Sequence, residues 1–396
     1  MNRDLVLIFS EAQSQIQALY MSRGELKMLN HQEPSLFGIK HSNRNFANKD
    51  NWGKNQFNSS FPASLSAFLE HQGLENVYLK LDENMQVYHS SISTAELYGT
   101  NPISEDIFYS FESPYVPFQQ LVIGNFPRVD LVTLSRSNGL CLKGLEIKLT
   151  ALPDNSTCDL AEDKFGCELV IRPDTIVYLA CSIATHFRDN LSDLTALIGE
   201  GFEAIEDWQE GIHIRSSVFK MREAVDRIIL SILDKQEPLV MQPIWKTEGK
   251  SPKLSENCLD VFIWSNLAFT QLFLDVARRE LIALKTITRQ VRTAVWLFKM
   301  LYDFSLHGQI DHRRVIDELS YDTKNDKAFA VSGKVTYPYM RSEILTKPRI
   351  TKQQIKEIIL GGGQNLLSPE RRFDAIIFNS PEIFEPTQIA RKNESN

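Results

Sequence analysis

Three charged residues interrupt a stretch that otherwise reads as buried strand. The stretch is "FPRVDLVTLSRSNGLCLKGLEIKLT", Phe126 to Thr150. Asp130 opens its first apolar run, and Glu146 and Lys148 close the second, with a turn at Ser135 to Gly139 between them. Facing residues in an antiparallel pair keep a constant index sum. A hairpin centred near residue 138 therefore sets Asp130 opposite Glu146 on one face. Lys148, two residues past Glu146, shares that face, while Leu145 and Ile147 point to the other. A one-residue slip would scatter the three charges.

Paired carboxylates are hard oxygen ligands for Mg²⁺, which keeps several waters and also takes phosphate oxygens. A metal held in this way stabilises charge on the attacking and leaving oxygens of a phosphodiester. The lysine would orient the attacking water and offset developing negative charge. The carbonyl of Ile147, between the two working side chains, is a further candidate ligand. The same residues could instead form a cross-strand ion pair on a solvated face, an arrangement worth little. Glu-x-Lys alone carries no information, since it recurs at Glu25/Lys27, Glu162/Lys164 and Glu248/Lys250. The combination is distinctive: Pro127, then Asp130 entering a strand, then a turn, then Glu146-Ile147-Lys148 among apolar residues.

The surrounding pattern supplies a scaffold. Leu65, Phe68 and Leu69 have helical spacing, and Gly73 marks a stop. "NVYLKLD" and "QLVIGNF" read as strands, and so does "CELVI". Asp174 is placed to cap a helix whose apolar positions run through Ile176, Val177, Ala180, Ile183, Ala184 and Phe187. Residues 190–320 read as mainly helical with one strand, "PLVMQPIWK". The helices include "LDVFIWSNLAFTQLFLDVARREL" and "TRQVRTAVWLFKMLYDFSL". Phe262, Phe269 and Phe273, with Trp264, Trp296 and Phe298, are expected in a core or a dimer contact. The last segment adds a strand-like "VSGKVTY" and a helix, "TKQQIKEIIL". The glycines 361–363 follow that helix rather than a strand, so they make a poor nucleotide loop.

Bulk properties narrow the classes. A chain of 396 residues with a 43% hydrophobic fraction can bury a large core. No apolar run reaches the roughly 18 residues of a membrane span, and the N-terminus lacks a secretory pattern, so a cytoplasmic protein is expected. Five cysteines with no CxxC spacing fit reduced thiols. The net charge of −7 is uneven: residues 285–396 carry 18 Lys+Arg against 13 Asp+Glu, leaving the rest acidic. A locally basic cleft on an acidic body is compatible with a polyanionic partner.

The pattern Pro127…Asp130…Glu146-x-Lys148 resembles the PD-(D/E)xK nuclease motif, with Arg128 and Val129 separating the proline from the aspartate. A longer likeness lies in "WGKNQFNSSFPASL", "RVDLV…LEIKLTALPD" and "LVMQPIWKTEGKSP". Together with the chain length, these segments are similar to type II restriction endonucleases of the HindVP kind. The resemblance implies an α/β fold, a restriction-endonuclease-like mixed central sheet flanked by helices, with a large helical part. It also implies a Mg²⁺-dependent site-specific nuclease that cuts double-stranded DNA at a short palindrome, of the GRCGYC type. Asp130 and Glu146 would hold the metal and Lys148 would be the catalytic lysine. An acidic residue from a helix before the sheet often joins such sites, and Glu70 is the candidate, with Glu112 as the alternative.

Palindromic cutting implies a homodimer, and restriction implies a companion DNA methyltransferase acting on the same site. The chain divides into residues 1–190, carrying the hairpin; 191–330, mainly helical with one strand and a candidate dimer face; and 331–396, a basic segment. Base readout favours Lys or Arg on guanine and Asn or Gln on adenine. Lys54, Asn55, Gln56 and Asn58, with Lys352, Arg371 and Arg372, are therefore candidate DNA contacts. Two other readings stay open. One is a repair or recombination nuclease of the same fold without site specificity. The other is a non-catalytic DNA-binding or structural protein.

Overall fold

The computed structural model describes residues 65–66, 69–70, 72–101, 106–148, 150–153, 169–248, 254–283, 287–321, 329–331 and 347–354. In chain order, the strands and helices up to the first long helix are β1 (Asn76–Leu81), β2 (Val87–Ile92), α1 (Thr94–Tyr98), β3 (Ile107–Pro114), β4 (Arg128–Ser135), β5 (Cys141–Ile147), β6 (Thr150–Pro153), β7 (Leu169–Ile171) and α2 (Pro173–Ala184). There follow α3 (Leu191–Ile198), α4 (Gly211–Arg215), α5 (Val218–Ser231), β8 (Pro238–Thr247), β9 (Leu254–Ser265), α6 (Asn266–Ala283), α7 (Arg289–His307), α8 (His312–Glu318), β10 (Phe329–Val331) and β11 (Ile350–Thr351).

Among the described residues nine strands form one mixed sheet, ordered β2-β1-β9-β8-β5-β4-β3, with β6 also on β8 and β11 on β9. β5 and β6 run parallel to β8, and β1 parallel to β9; the other pairs are antiparallel. Glu146 and Ile147 pair with Val240 and Met241, and Thr150 pairs with Ile244. The register against β8 is therefore unchanged across Lys148, whose N–H donates to the Met241 carbonyl at 2.9 Å.

Both faces of the central strands are covered, and so they are apolar in both directions. Val240, Ile244, Phe262 and Trp264 join the main core with the helices. Met241, Val261 and Ile263, one residue out of phase, are buried on the opposite face. α7 organises the helical layer, packing on α2, α3, α5 and α6. Phe202, Trp208, Phe298 and Tyr302 form an aromatic cluster there.

Several expectations change. "LDVFIW" is not helical: it is the second half of β9, and the helix begins at Asn266. A run buried on all sides has no period to separate strand from helix. The region 191–330 thus lends two strands, β8 and β9, to the sheet. "QLVIGNF" is not a strand either. Val116–Leu121 is a 3₁₀ turn, and Val122 makes a single bridge to Ile310. Gly124 sits at φ 80°, and the Gln119 side chain ties the bend by donating to the Gly124 carbonyl at 2.6 Å and accepting from the Phe126 N–H at 3.0 Å. Asp174 is no N-cap. Arg172 holds that position, and Asp174 lies in the first turn after Pro173. The aromatics at 262, 264, 269, 273, 296 and 298 are all core.

Candidate active site

β4 enters the sheet with Val129, Leu131 and Val132 buried, which fixes its alternation and leaves Asp130 on the face toward α2. Leu131 pairs with Leu145, Val132 with Gly144 and Thr133 with Lys143. Extended by one residue, this register sets Asp130 across from Glu146, as the hairpin arithmetic requires. Leu145 and Ile147 are buried on the opposite face.

The three charged groups converge. Lys148 Nζ donates to Glu146 Oε2 at 2.6 Å and to Asp130 Oδ2 at 3.4 Å. The Ile147 N–H donates to Asp130 Oδ2 at 2.8 Å, so the Asp130 carboxylate is oriented from two sides. The side chain of Glu146 is 5% exposed, that of Lys148 13% and that of Asp130 24%. A solvated surface bridge would be far more open, so the reading as an ordinary surface pair does not hold. Desolvation pushes the Glu146 carboxyl up to about 8, against the pull of Lys148. Burial works against the Lys148 ammonium, yet Glu146 and Asp130 outweigh it and hold its pKa above the ordinary lysine value. The pair is thus an ammonium beside a readily protonated carboxyl group, and a cation near Glu146 would favour its charged form.

α2 covers this face. Thr175 and Tyr178, at i and i+3, share one side of the helix, and Gly144 and Glu146, at i and i+2, share one side of β5. The Thr175 hydroxyl donates to Glu146 Oε2 at 3.4 Å, and the Tyr178 hydroxyl donates to the Gly144 carbonyl at 2.6 Å. Gly144 is required by this approach, because a Cβ there would stand 2.6 Å from Tyr178 Oη and 3.1 Å from the Tyr115 ring. Tyr115, Phe118 and Phe126 pack around the Tyr178 ring. Behind Lys148 in the β8 register, buried Gln242 accepts from Trp264 Nε1 at 2.6 Å and donates to Thr150 Oγ1 at 2.7 Å. Sequence reading missed Thr175, Tyr178 and Gln242. Gln242 carried a usable signal, a polar residue inside the apolar run "PLVMQPIWK".

The remaining candidates differ in where they lie. Glu70 accepts the Thr94 N–H at 2.7 Å, capping the first turn of α1, and among the described residues it makes no contact with Asp130, Glu146 or Lys148. Glu112 lies in β3, where the pairing of Phe111 with Leu131 and of Ser113 with Val129 sets it across from Asp130; its side chain lies outside what is described. Lys352 is placed against Glu248, Nζ to Oε1 at 3.2 Å. Lys54, Asn55, Gln56, Asn58, Arg371 and Arg372 lie outside the described residues. So do Cys158 and Cys167, while Cys141, Cys181 and Cys258 are free thiols. No helix among the described residues is long and apolar enough to cross a membrane.

Comparison with known proteins meets this geometry from another side. The family model of the HindVP restriction endonuclease matches residues 52–384. The chain is 44% identical over 353 residues to the type II restriction enzyme HgiDI of Herpetosiphon aurantiacus, covering 89% of this chain and 98% of that protein. It is 43% identical over 372 residues to the probable type II restriction enzyme HindVP of Haemophilus influenzae, covering 92% and 99%. No solved structure matches the chain. The chain belongs to the HindVP restriction endonuclease family and is a type II site-specific deoxyribonuclease.

Proposed function

We propose that the Asp130–Glu146–Lys148 centre hydrolyses phosphodiester bonds of double-stranded DNA with Mg²⁺ at a short palindrome. The observation that carries this is the meeting of two enclosed carboxylates and one ammonium at the edge of the β5–β8 ladder. The donor set suits a hard divalent cation. Asp130 and Glu146 offer carboxylate oxygens, and the Ile147 carbonyl is the third ligand proposed. Among the described residues no three His, Cys, Asp or Glu side chains gather as a closed cage. The other positions would fall to water and a substrate oxygen, which is the habit of Mg²⁺. When bound, the metal supplies charge stabilisation at the phosphate oxygens.

The chain's own residues do the rest. Lys148 presents N–H donors beside both carboxylates, where it orients the attacking water and offsets charge on the phosphate. Thr175 and the Ile147 N–H hold Glu146 and Asp130 in place. A palindromic target calls for a homodimer, because two-fold protein symmetry mirrors the site. A GRCGYC-type target and a partner methyltransferase belong to the same reading.

The test is incubation of purified protein with unmethylated phage DNA, with Mg²⁺ and with EDTA, beside Lys148→Ala. Discrete Mg²⁺-dependent bands lost in the variant are expected, and sequencing of the ends identifies the site. A folded wild-type protein that leaves the DNA intact across metals and salt concentrations would refute the reading. Smeared products would point to a nuclease without site specificity.

A further inference from the structure

A cavity of about 450 Å³ opens beside the catalytic centre. Pro127 and Arg128 form one wall, just ahead of Asp130. Asp174, next to Thr175, forms a second, and His312, Arg313 and Asp317 of α8 form the third. Arg128 and Asp130 are two residues apart on β4 and so share a face. That spacing is about 7 Å, roughly two base-pair rises of duplex DNA.

The polar groups of this cavity are unused. Arg128 and Arg313 are exposed, and neither has an ion-pair or hydrogen-bond partner among the described residues, although Asp174 and Asp317 line the same space. Two guanidinium forks on one cavity ask for an acceptor-rich anion, and phosphate matches the fork geometry.

We propose that this cavity is a phosphate subsite for the cleaved DNA strand, within two steps along the backbone of the scissile group. Arg128 and Arg313 clamp the phosphate. The proposal rests on the nuclease reading above, which wild-type cleavage tests separately. The two aspartates offset the two arginines, so the subsite works through placed donors rather than a strong positive field. The contact is to backbone, so it positions the duplex without reading its sequence.

The experiment measures binding of the full-length protein, with Ca²⁺ in place of Mg²⁺, to a fluorescent duplex of mapped cleavage sequence and to one of random sequence. Affinity is followed against salt. Arg128→Ala and Arg313→Ala should each weaken binding to both duplexes and reduce the slope of log affinity against log salt by about 1 per subunit. Arg313→Lys should keep the slope, and Asp317→Asn should tighten binding. Circular dichroism confirms the fold of each variant. Alanine variants with wild-type affinity and slope would overturn the subsite, as would weaker binding in Asp317→Asn.

Discussion

The Thr175 hydroxyl donates to the Glu146 carboxylate across 3.4 Å, which ties the first turn of α2 to the central strand of the site. Thr175→Val keeps the shape and removes the donor. Partners that orient a metal-binding side chain are commonly worth about 10–100-fold in activity. A fall of that size in cleavage rate is expected, with recovery in Thr175→Ser and little change in thermal midpoint. Equal rates in the valine and serine variants would show that the hydroxyl does not orient Glu146.

Gly144→Ala tests the same interface from the strand side. The new methyl would meet Tyr178 Oη at 2.6 Å. Overpacking of this kind costs about 1–3 kcal/mol. Both the thermal midpoint and the cleavage rate should drop, because lifting α2 also withdraws Thr175. The paired variant Gly144→Ala, Tyr178→Phe should regain part of the stability. A single variant as stable as the parent would mean that α2 is loosely seated.

Arg349 grips Asp260 through two hydrogen bonds, 2.7 and 3.0 Å, and also donates to the Glu75 carbonyl at 2.9 Å. Asp260 is 1% exposed in the middle of β9. Arg349→Ala leaves that buried carboxylate without its cation and with the Val261 N–H, at 2.8 Å, still donating to it, a loss of about 3 kcal/mol. Denaturant unfolding should show it as an earlier midpoint. Replacing both partners with apolar residues should restore most of it.

The contribution of His312 and His186 to stability should fall between about pH 6.5 and 5.5, opposite in sign to that of the buried Glu146 carboxyl. Burial holds the imidazole of His312 below the ordinary 6.5, with Arg313 adding to the effect and Asp174 and Asp311 opposing it. Burial does the same at His186, where Lys235 adds and Glu237 and Asp234 oppose. The unfolded chain therefore binds protons that the folded one refuses, and this contribution falls as pH drops through 6.5. Above that range both states are neutral at these positions and the contribution is constant. Urea midpoints at about pH 7.5 and about pH 5.5 measure the loss, and the double His→Asn variant should show less of it. An identical loss in that variant would remove these two residues as its source.

The candidate hairpin was legible because an antiparallel register is arithmetic: Asp130, Glu146 and Lys148 are fixed by one turn and by the alternation of their apolar neighbours. β8 was legible as an apolar run bounded by Pro238. β9 was not, because Leu259 to Trp264 are buried on every side and carry neither a two- nor a three-to-four-residue rhythm. Thr175 was hidden for a different reason. Its role comes from a helix that follows β5 by more than twenty residues and folds back over it, and nothing local to Pro173–Thr175 announces the carboxylate it meets. The α8 wall of the cavity comes from still farther along the chain. Local pattern gave the chemistry, and the surroundings that tune it come from distant contacts.

The parallel pairing of β5 with β8 has a consequence for synthesis. A chain leaving the ribosome carries Asp130, Glu146 and Lys148 long before it carries Val240 and Met241, the residues that lock their strand into the sheet. α2, which covers Glu146, itself packs on the later helices α6 and α7. Since domains fold as units during translation, a truncated or stalled product has the motif without its frame. Such a product therefore lacks the strand and the helices that hold Glu146 beside Lys148.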